Sequence, residues 1–353
     1  MIPKPKLFYK RFYSLYRILN KFGLFKYLIN LVQMIFVIDS TRITADLYFY
    51  TGMIPTKQDK LPYIVDFEHI KALFSFAQIT DSDKKKVLNC LANNNCKWIL
   101  PWSNAAKQSA KLLFGNQYDL FRNKIKVVYP ALPLYKDVYK SKVDYSLVDT
   151  KSKKRFVFVG KEYKRKGLLE VLEAFMNLSE IFYDIELYVV ADVSRSIINQ
   201  YKSNHIHFHK AVFSQEEIIC KFFMTCDMLI LPTHEDTFGM VILEALSSGI
   251  PVITTKQFAT KEIVKNNING IFVKSKILSL ESDLILNVEE FDEAHCVPED
   301  IMIKDIIIKV SILCNNWQQV NEMKLNAVRD FRTGGKFSIQ KRNQSLSKLL
   351  NSI

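Results

Sequence analysis

The chain has 353 residues, with 49 Lys or Arg against 36 Asp or Glu, a surplus of 13 positive charges. Its length exceeds one ordinary domain and predicts two, and a composition 48% hydrophobic and 24% charged excludes a disordered polymer. The cationic surplus points to an anionic partner: nucleotide phosphate, acidic lipid or nucleic acid.

The first 38 residues carry seven Lys or Arg and no acid, interleaved with Phe8, Tyr9, Phe12, Tyr13, Tyr16, Phe22 and Phe25. Such a basic-aromatic segment suits an anionic membrane surface, and equally a docking surface or a helix of the first domain. Its most apolar stretch, Leu28 to Ile38, includes Asn30 and Gln33. That is about half of the roughly 20 apolar residues that cross a bilayer. No signal-peptide pattern precedes it, so a cytoplasmic protein, peripheral at the inner face of the plasma membrane, is expected.

Strands are expected at Val32–Ile38, Asp46–Tyr50, Tyr63–Val65 and Ile125–Tyr129, with helices at Asp81–Asn93 and Ser103–Leu113. Lys140 to Lys154 is polar and reads as a linker. Beyond it, apolar runs at Phe156–Gly160, Leu187–Ala191, Ile206–His209, Met228–Pro232 and Val252–Thr255 alternate with helical patterns. Leu168, Leu169, Val171, Leu172, Phe175 and Leu178 recur at helical spacing, and a helix over Met240–Ser248 ends at Gly249 and Pro251. Alternation of this kind predicts an α/β fold built on parallel sheets. The domains are set at 1–148 and 149–335, with a last helix in 336–353.

Two clusters carry chemistry. Gly160-Lys161 ends a strand, and Lys164-Arg165-Lys166-Gly167 precedes a helix. A close backbone turn, gathered cations and a helix N-terminus make a diphosphate site, though a solvated basic loop has the same composition. The second cluster runs from His234-Glu235-Asp236-Thr237-Phe238-Gly239-Met240 to Glu244. Asp236 falls in the loop and Glu244 about a turn into the following helix. Carboxylates there accept hydrogen bonds from sugar or ribose hydroxyls, while the N–H groups of Phe238, Gly239 and Met240 face a phosphate. Capping by Asp236 and Thr237, with Glu244 a surface residue, is the bland alternative.

This second cluster resembles the E-x7-E motif of glycosyltransferase family 4, retaining enzymes of the GT-B fold. Gly160-Lys161 with Lys166-Gly167 is similar to that family's G-R…K-G element, and Ser214-Gln215-Glu216-Glu217 to its next helix start. Glu262-Ile263-Val264 through Gly270 resembles its E-I-V…G turn, and Gly335-Lys336-Phe337-Ser338 with Arg342-Asn343 its last helix. The likeness covers about residues 155 to 350 and is weak before them. It implies two Rossmann-like domains facing a cleft, an acceptor side in the first domain, a donor site in the second, and a C-terminal helix crossing back to the first.

The resemblance implies catalytic roles for His69, Asp236 and Glu244, and a donor diphosphate held by Gly160, Lys161, Lys166, Phe238, Gly239 and Met240. His69 closes Pro62-Tyr63-Ile64-Val65-Asp66-Phe67-Glu68-His69, a segment similar to the one bordering the sugar in that family. There are departures. Lys161 stands where arginine is usual, which keeps charge but loses bidentate contact. Asp236 stands where glutamate is usual, with Glu235 beside it as a possible substitute. The family's first glycine-rich loop is missing.

His205, His207 and His209 alternate on one strand, but packing or solvent contact is favoured over a metal site. Asp81-Ser82-Asp83 spells a D-x-D yet precedes a helix, where capping explains it. The six cysteines form no C-x-x-C pair and are expected as reduced thiols. No metal and no cofactor are expected beyond a nucleoside-diphosphate-sugar donor. The expected acceptor is a glycan or lipid-linked molecule, with no nucleic acid. A nucleotide-sugar epimerase or phosphorylase of the same fold, and an inactive sugar-nucleotide-binding subunit, are the rival readings.

Overall fold

Two sheets, each with all its strands parallel, organise the chain. The computed structural model describes residues 46–55, 61–75, 79–147, 153–276 and 297–353. The basic segment 1–38, the expected strand Val32–Ile38, Cys296 and the middle of the expected linker lie outside the described residues.

The first sheet has the order β1 (Tyr48–Thr51), β2 (Tyr63–Phe67), β3 (Cys96–Pro101). The central strand, Tyr-Ile-Val-Asp-Phe, is buried along its whole length, as expected for a strand covered on both faces. β3 was not foreseen. Conversely, the expected strand Ile125–Tyr129 reduces to one bridge, Ile125 to Ile99. Lys126 and Val128 do donate to the carbonyls of Ile99 and Pro101, but Pro101 has no N–H to return, so a ladder cannot extend.

The second sheet has six strands. They are β4 (Lys154–Val159), β5 (Ile185–Val190), β6 (Ile206–His209), β7 (Met228–Leu231), β8 (Val252–Thr255) and β9 (Gly270–Val273). Their order is β6-β5-β4-β7-β8-β9. Leu168, Val171, Leu172, Phe175 and Leu178 form the buried stripe of the helix Leu168–Ile181. Helices Asp300–Asn315 and Trp317–Ala327 were not foreseen. The former buries Met302, Ile306, Val310 and Leu313, spaced for one helical face, and packs against Leu168–Ile181.

The last helix, Ile339–Leu350, returns to the first sheet. Leu346 and Leu349 pack on Ile64, Leu100 and Val128, and Trp98 Nε1 donates to the Leu349 carbonyl at 3.1 Å. A second tie crosses between the halves. Glu262 accepts hydrogen bonds from the Asn104 and Ala105 N–H groups, the Asn104 amide and the Tyr129 hydroxyl, at 2.6 to 3.0 Å. Residues just beyond strand carboxyl ends also meet, His69 after β2 with Phe258 after β8 and Trp102 after β3 with Phe238 after β7, so these ends of the two sheets face a common cleft.

Candidate functional site

The second sheet reverses its winding between β4 and β7, and ligands of open α/β sheets bind outside the carboxyl ends at such a point. Gly160 follows β4. A Cβ there would stand 3.3 Å from Lys166 Cγ, so the lysine stem lies directly on the glycine. Gly167 has φ +78°, and a Cβ would meet the Pro232 carbonyl at 2.3 Å. Only glycine lets the helix Leu168–Ile181 begin so close to the end of β7.

The two loops are bonded to each other: His234 N donates to the Arg165 carbonyl at 3.0 Å. Lys166 Nζ then meets Asp236 Oδ2 at 2.6 Å and the Glu235 carbonyl at 3.4 Å. Asp236 Oδ1 accepts the Gly239 N–H at 3.0 Å, so both oxygens of this acid are engaged. Arg165 bonds the Glu235 carbonyl through Nη1 at 3.1 Å and Glu162 through Nε at 2.7 Å. Lys161, one of the two cations among the six expected diphosphate ligands, is exposed to solvent. Arg165 shares the Glu235 carbonyl with Lys166.

Gly239, at φ +90°, opens the helix Met240–Ser247. Phe238 is buried and meets Trp102 of the first domain edge-on at 5.9 Å, while Met240 is half-buried. Glu244 lies on the second turn and accepts Gln215 Nε2 at 2.5 Å. Burial raises its carboxyl above the ordinary range, and the Gln215 bond partly offsets this.

From the first domain comes His69, fully buried at the start of the short helix Ile70–Phe74. Its Nδ1 accepts the Lys71 N–H at 3.0 Å, which leaves Nε2 to carry the proton of the neutral ring. The ring packs on Phe258 of the second domain at 5.2 Å. Glu68 lies within electrostatic reach of Thr237, Asp236, Lys166 and Arg165. Burial raises its acid, and burial lowers the ammonium of Lys71, which faces Glu235. Burial also raises Glu235, against the pull of Arg165 and Lys166. Neither Arg165 nor Glu68 was picked out from the sequence as a site residue; position next to His69 was the one cue for Glu68.

The remaining candidates sit elsewhere. His207 and His209 stack on Tyr188 at 4.7 and 6.2 Å. His207 Nε2 is 3.8 Å from Glu186, an acid the sequence pattern did not reveal. Among the described residues no three His, Cys, Asp or Glu side chains are grouped to hold a metal ion, and no disulfide forms. Asp83 completes a capping box with Thr80 at the start of the helix Asp81–Ala92. Among the described residues no helix is long and apolar enough to cross a membrane.

Residues 144–293 match the family model described as glycosyl transferases group 1. The chain is 26% identical over 213 residues to an uncharacterized 41.2 kDa protein in the cps region of Klebsiella pneumoniae, covering 57% of this chain and 55% of that one. It is 22% identical over 212 residues to the N-acetyl-alpha-D-glucosaminyl L-malate synthase of Bacillus anthracis, covering 58% and 55%. The match thus spans about half the length of these curated relatives. Among solved structures, Anabaena Alr3699/HepE in complex with UDP and glucose has a TM-score of 0.60 at 15% identity, over 83% of this chain and 72% of that one. At such identity the likeness is one of fold, and that fold is GT-B.

Proposed function

We propose that the chain is a retaining glycosyltransferase that moves a hexose-type sugar from a nucleoside-diphosphate donor to a glycan or lipid-linked acceptor. The observation that carries this reading is the meeting of Lys166 and Arg165 with the loop 234–239 at the β4/β7 crevice, beside the N-terminus of the helix Met240–Ser247. Cations and N–H groups there oppose the charge that builds on a departing diphosphate, with Lys161 at the rim. The bond from the anomeric carbon to the β-phosphate oxygen breaks as the acceptor hydroxyl bonds the same face, and the hydroxyl proton leaves with the diphosphate. The protein contributes electrostatic stabilisation of the leaving group, with no side chain assigned as nucleophile and no metal required.

His69, with its proton on Nε2, is placed by this reading at the sugar, and Glu244 at the ribose. The match to the group 1 family over residues 144–293 supports the donor half of the reading. A relative in a cps region supports a polysaccharide-type acceptor. The basic segment 1–38 belongs to the same proposal, as a contact with the anionic inner face of the plasma membrane. Co-sedimentation with anionic but not neutral vesicles is the check on that contact.

The donor test is a melting-temperature series with UDP, GDP and ADP, since a ligand that binds only the folded chain raises the midpoint by mass action. One of the three is expected to shift the midpoint, and its sugar derivative to be turned over on adding acceptor. No shift with any of them would remove the donor reading.

A further inference from the structure

Gln215 and Glu244 meet across the point where the second sheet reverses its winding. Gln215 opens the short helix Gln215–Ile218 after β6, an edge strand two places beyond β4, while Glu244 stands on the helix that follows β7. Their side chains bond at 2.5 Å, Gln215 Nε2 donating to Glu244 Oε1, so the pair bridges the two halves of the sheet. A capping box holds the backbone beside Gln215. Ser214 Oγ accepts the Glu217 N–H at 3.3 Å, and Glu217 Oε2 accepts the Ser214 N–H at 2.8 Å. The amide therefore reaches Glu244 from a fixed base.

Glu244 lies about 7.5 Å along the helix axis from Gly239, where the helix opens, at 1.5 Å per residue. A nucleoside diphosphate whose phosphates meet that N-terminus carries its ribose onward by a comparable span. The 2′ and 3′ hydroxyls of the ribose are neighbouring donors, and a carboxylate, with room for about four hydrogen bonds, suits both. It serves both only when its plane is held toward the diol, and Gln215 holds it by Oε1. We infer that Gln215 is a specificity-determining residue of the donor site: by fixing the Glu244 carboxylate it selects ribonucleoside diphosphates over their 2′-deoxy counterparts. It acts through Glu244 and is thus a positioning residue. This rests on the donor reading proposed above. The raised acid of Glu244 accords with it, since burial penalises the charge and Gln215 supplies a donor that offsets the penalty.

The 2′-deoxy compounds lack one hydroxyl of the diol and keep base and diphosphate, which separates ribose reading from a general effect on phosphate. Titration calorimetry should compare UDP, GDP and ADP with their 2′-deoxy forms, on the whole chain and on Gln215→Met, which keeps the length and loses the donor. For the tightest-binding pair, wild-type protein should prefer the ribonucleotide about tenfold or more, because a site that bonds a hydroxyl is left unpaired without it. In Gln215→Met the preference should shrink to less than about threefold, through weaker binding of the ribonucleotide and little change for the deoxy compound. Gln215→Ala should behave in the same way, and because Gln215 is exposed neither change touches the core. Glu244→Ala should lose the preference as well.

An undiminished preference in both Gln215 variants, whether the two affinities stay or fall together, would overturn the inference and leave the donor reading standing. So would wild-type protein that binds each pair equally. A preference that survives Glu244→Ala would place the ribose elsewhere and overturn it too. Wild-type protein that binds none of the six compounds would overturn the donor reading, and this inference with it.

Discussion

Lys166 and Asp236 hold each other at 2.6 Å across the crevice between β4 and β7, each with its side chain only 14% exposed. A diphosphate entering there competes with the carboxylate for the ammonium. The two residues should therefore respond in opposite directions. Lys166→Ala should weaken binding of the nucleoside diphosphate by about 1.5–3 kcal/mol, the scale of a charge-assisted hydrogen bond. Asp236→Asn, which removes the competitor, should leave that affinity unchanged or raise it. Calorimetry on both variants decides, and unchanged affinity in Lys166→Ala would reject the lysine as a phosphate ligand.

Much of the second domain was legible because its central strands are buried and read as continuous apolar runs, as in Phe156–Val159 and Met228–Leu231. Ile206–His209 and Val252–Thr255 fall at the expected positions. β3 escaped notice because Cys96-Lys97-Trp98 interrupts its apolar pattern, and Pro101 hides its end. The motif loop was visible as local sequence. Its ion pairs were not, since Arg165–Glu235 and Lys166–Asp236 join positions about seventy residues apart. His69 is harder still: the ring it packs on, Phe258, lies on the other domain. A pattern read along one strand carries no information about a cleft formed by two.

Glu244 offers a test in which stability and activity part. Burial raises this acid in the folded chain, so folding favours its neutral form. Its contribution is thus most favourable below the ordinary glutamate range, and is lost as pH rises through the raised folded value. Glu244→Gln keeps an acceptor for Gln215 and removes the charge. At neutral pH the variant should be more stable, on the order of 1 kcal/mol, as is common when a functional-site charge is removed. The gain should vanish below about pH 4. Turnover should fall sharply at the same time. Thermal melts across pH, paired with activity, check both; a variant that keeps full activity would withdraw Glu244 from the site.

Glu262 was legible only as part of a turn, yet it caps a helix of the other domain. Its carboxylate serves the N–H groups of Asn104 and Ala105 and the hydroxyl of Tyr129. A carboxylate at a helix N-terminus satisfies donors that have no partner within the helix and opposes the helix dipole. Glu262→Ala should lower stability by about 1–2 kcal/mol. It should also loosen the contact between the two domains, seen as a larger radius of gyration in solution scattering. An unchanged denaturation midpoint would show that the contact contributes nothing.

Asp81-Ser82-Asp83 has the spelling of a cation site and the geometry of a helix cap. Thr80 Oγ1 accepts the Asp83 N–H at 3.2 Å, while Asp83 Oδ2 accepts the Thr80 N–H at 3.3 Å and its hydroxyl at 2.6 Å. This reciprocal pairing is a capping box, and acids in a first turn also suit the helix dipole. Neither role calls on a metal. Turnover should therefore survive excess EDTA. Asp83→Ala should cost about 1 kcal/mol of stability, the scale of a lost cap, and leave kcat unchanged. The two arms separate the readings: a metal site would lose turnover in EDTA, regain it with magnesium or manganese, and lose it again in Asp83→Ala. Restoration by either ion would return this pair to the active site and overturn a metal-independent mechanism.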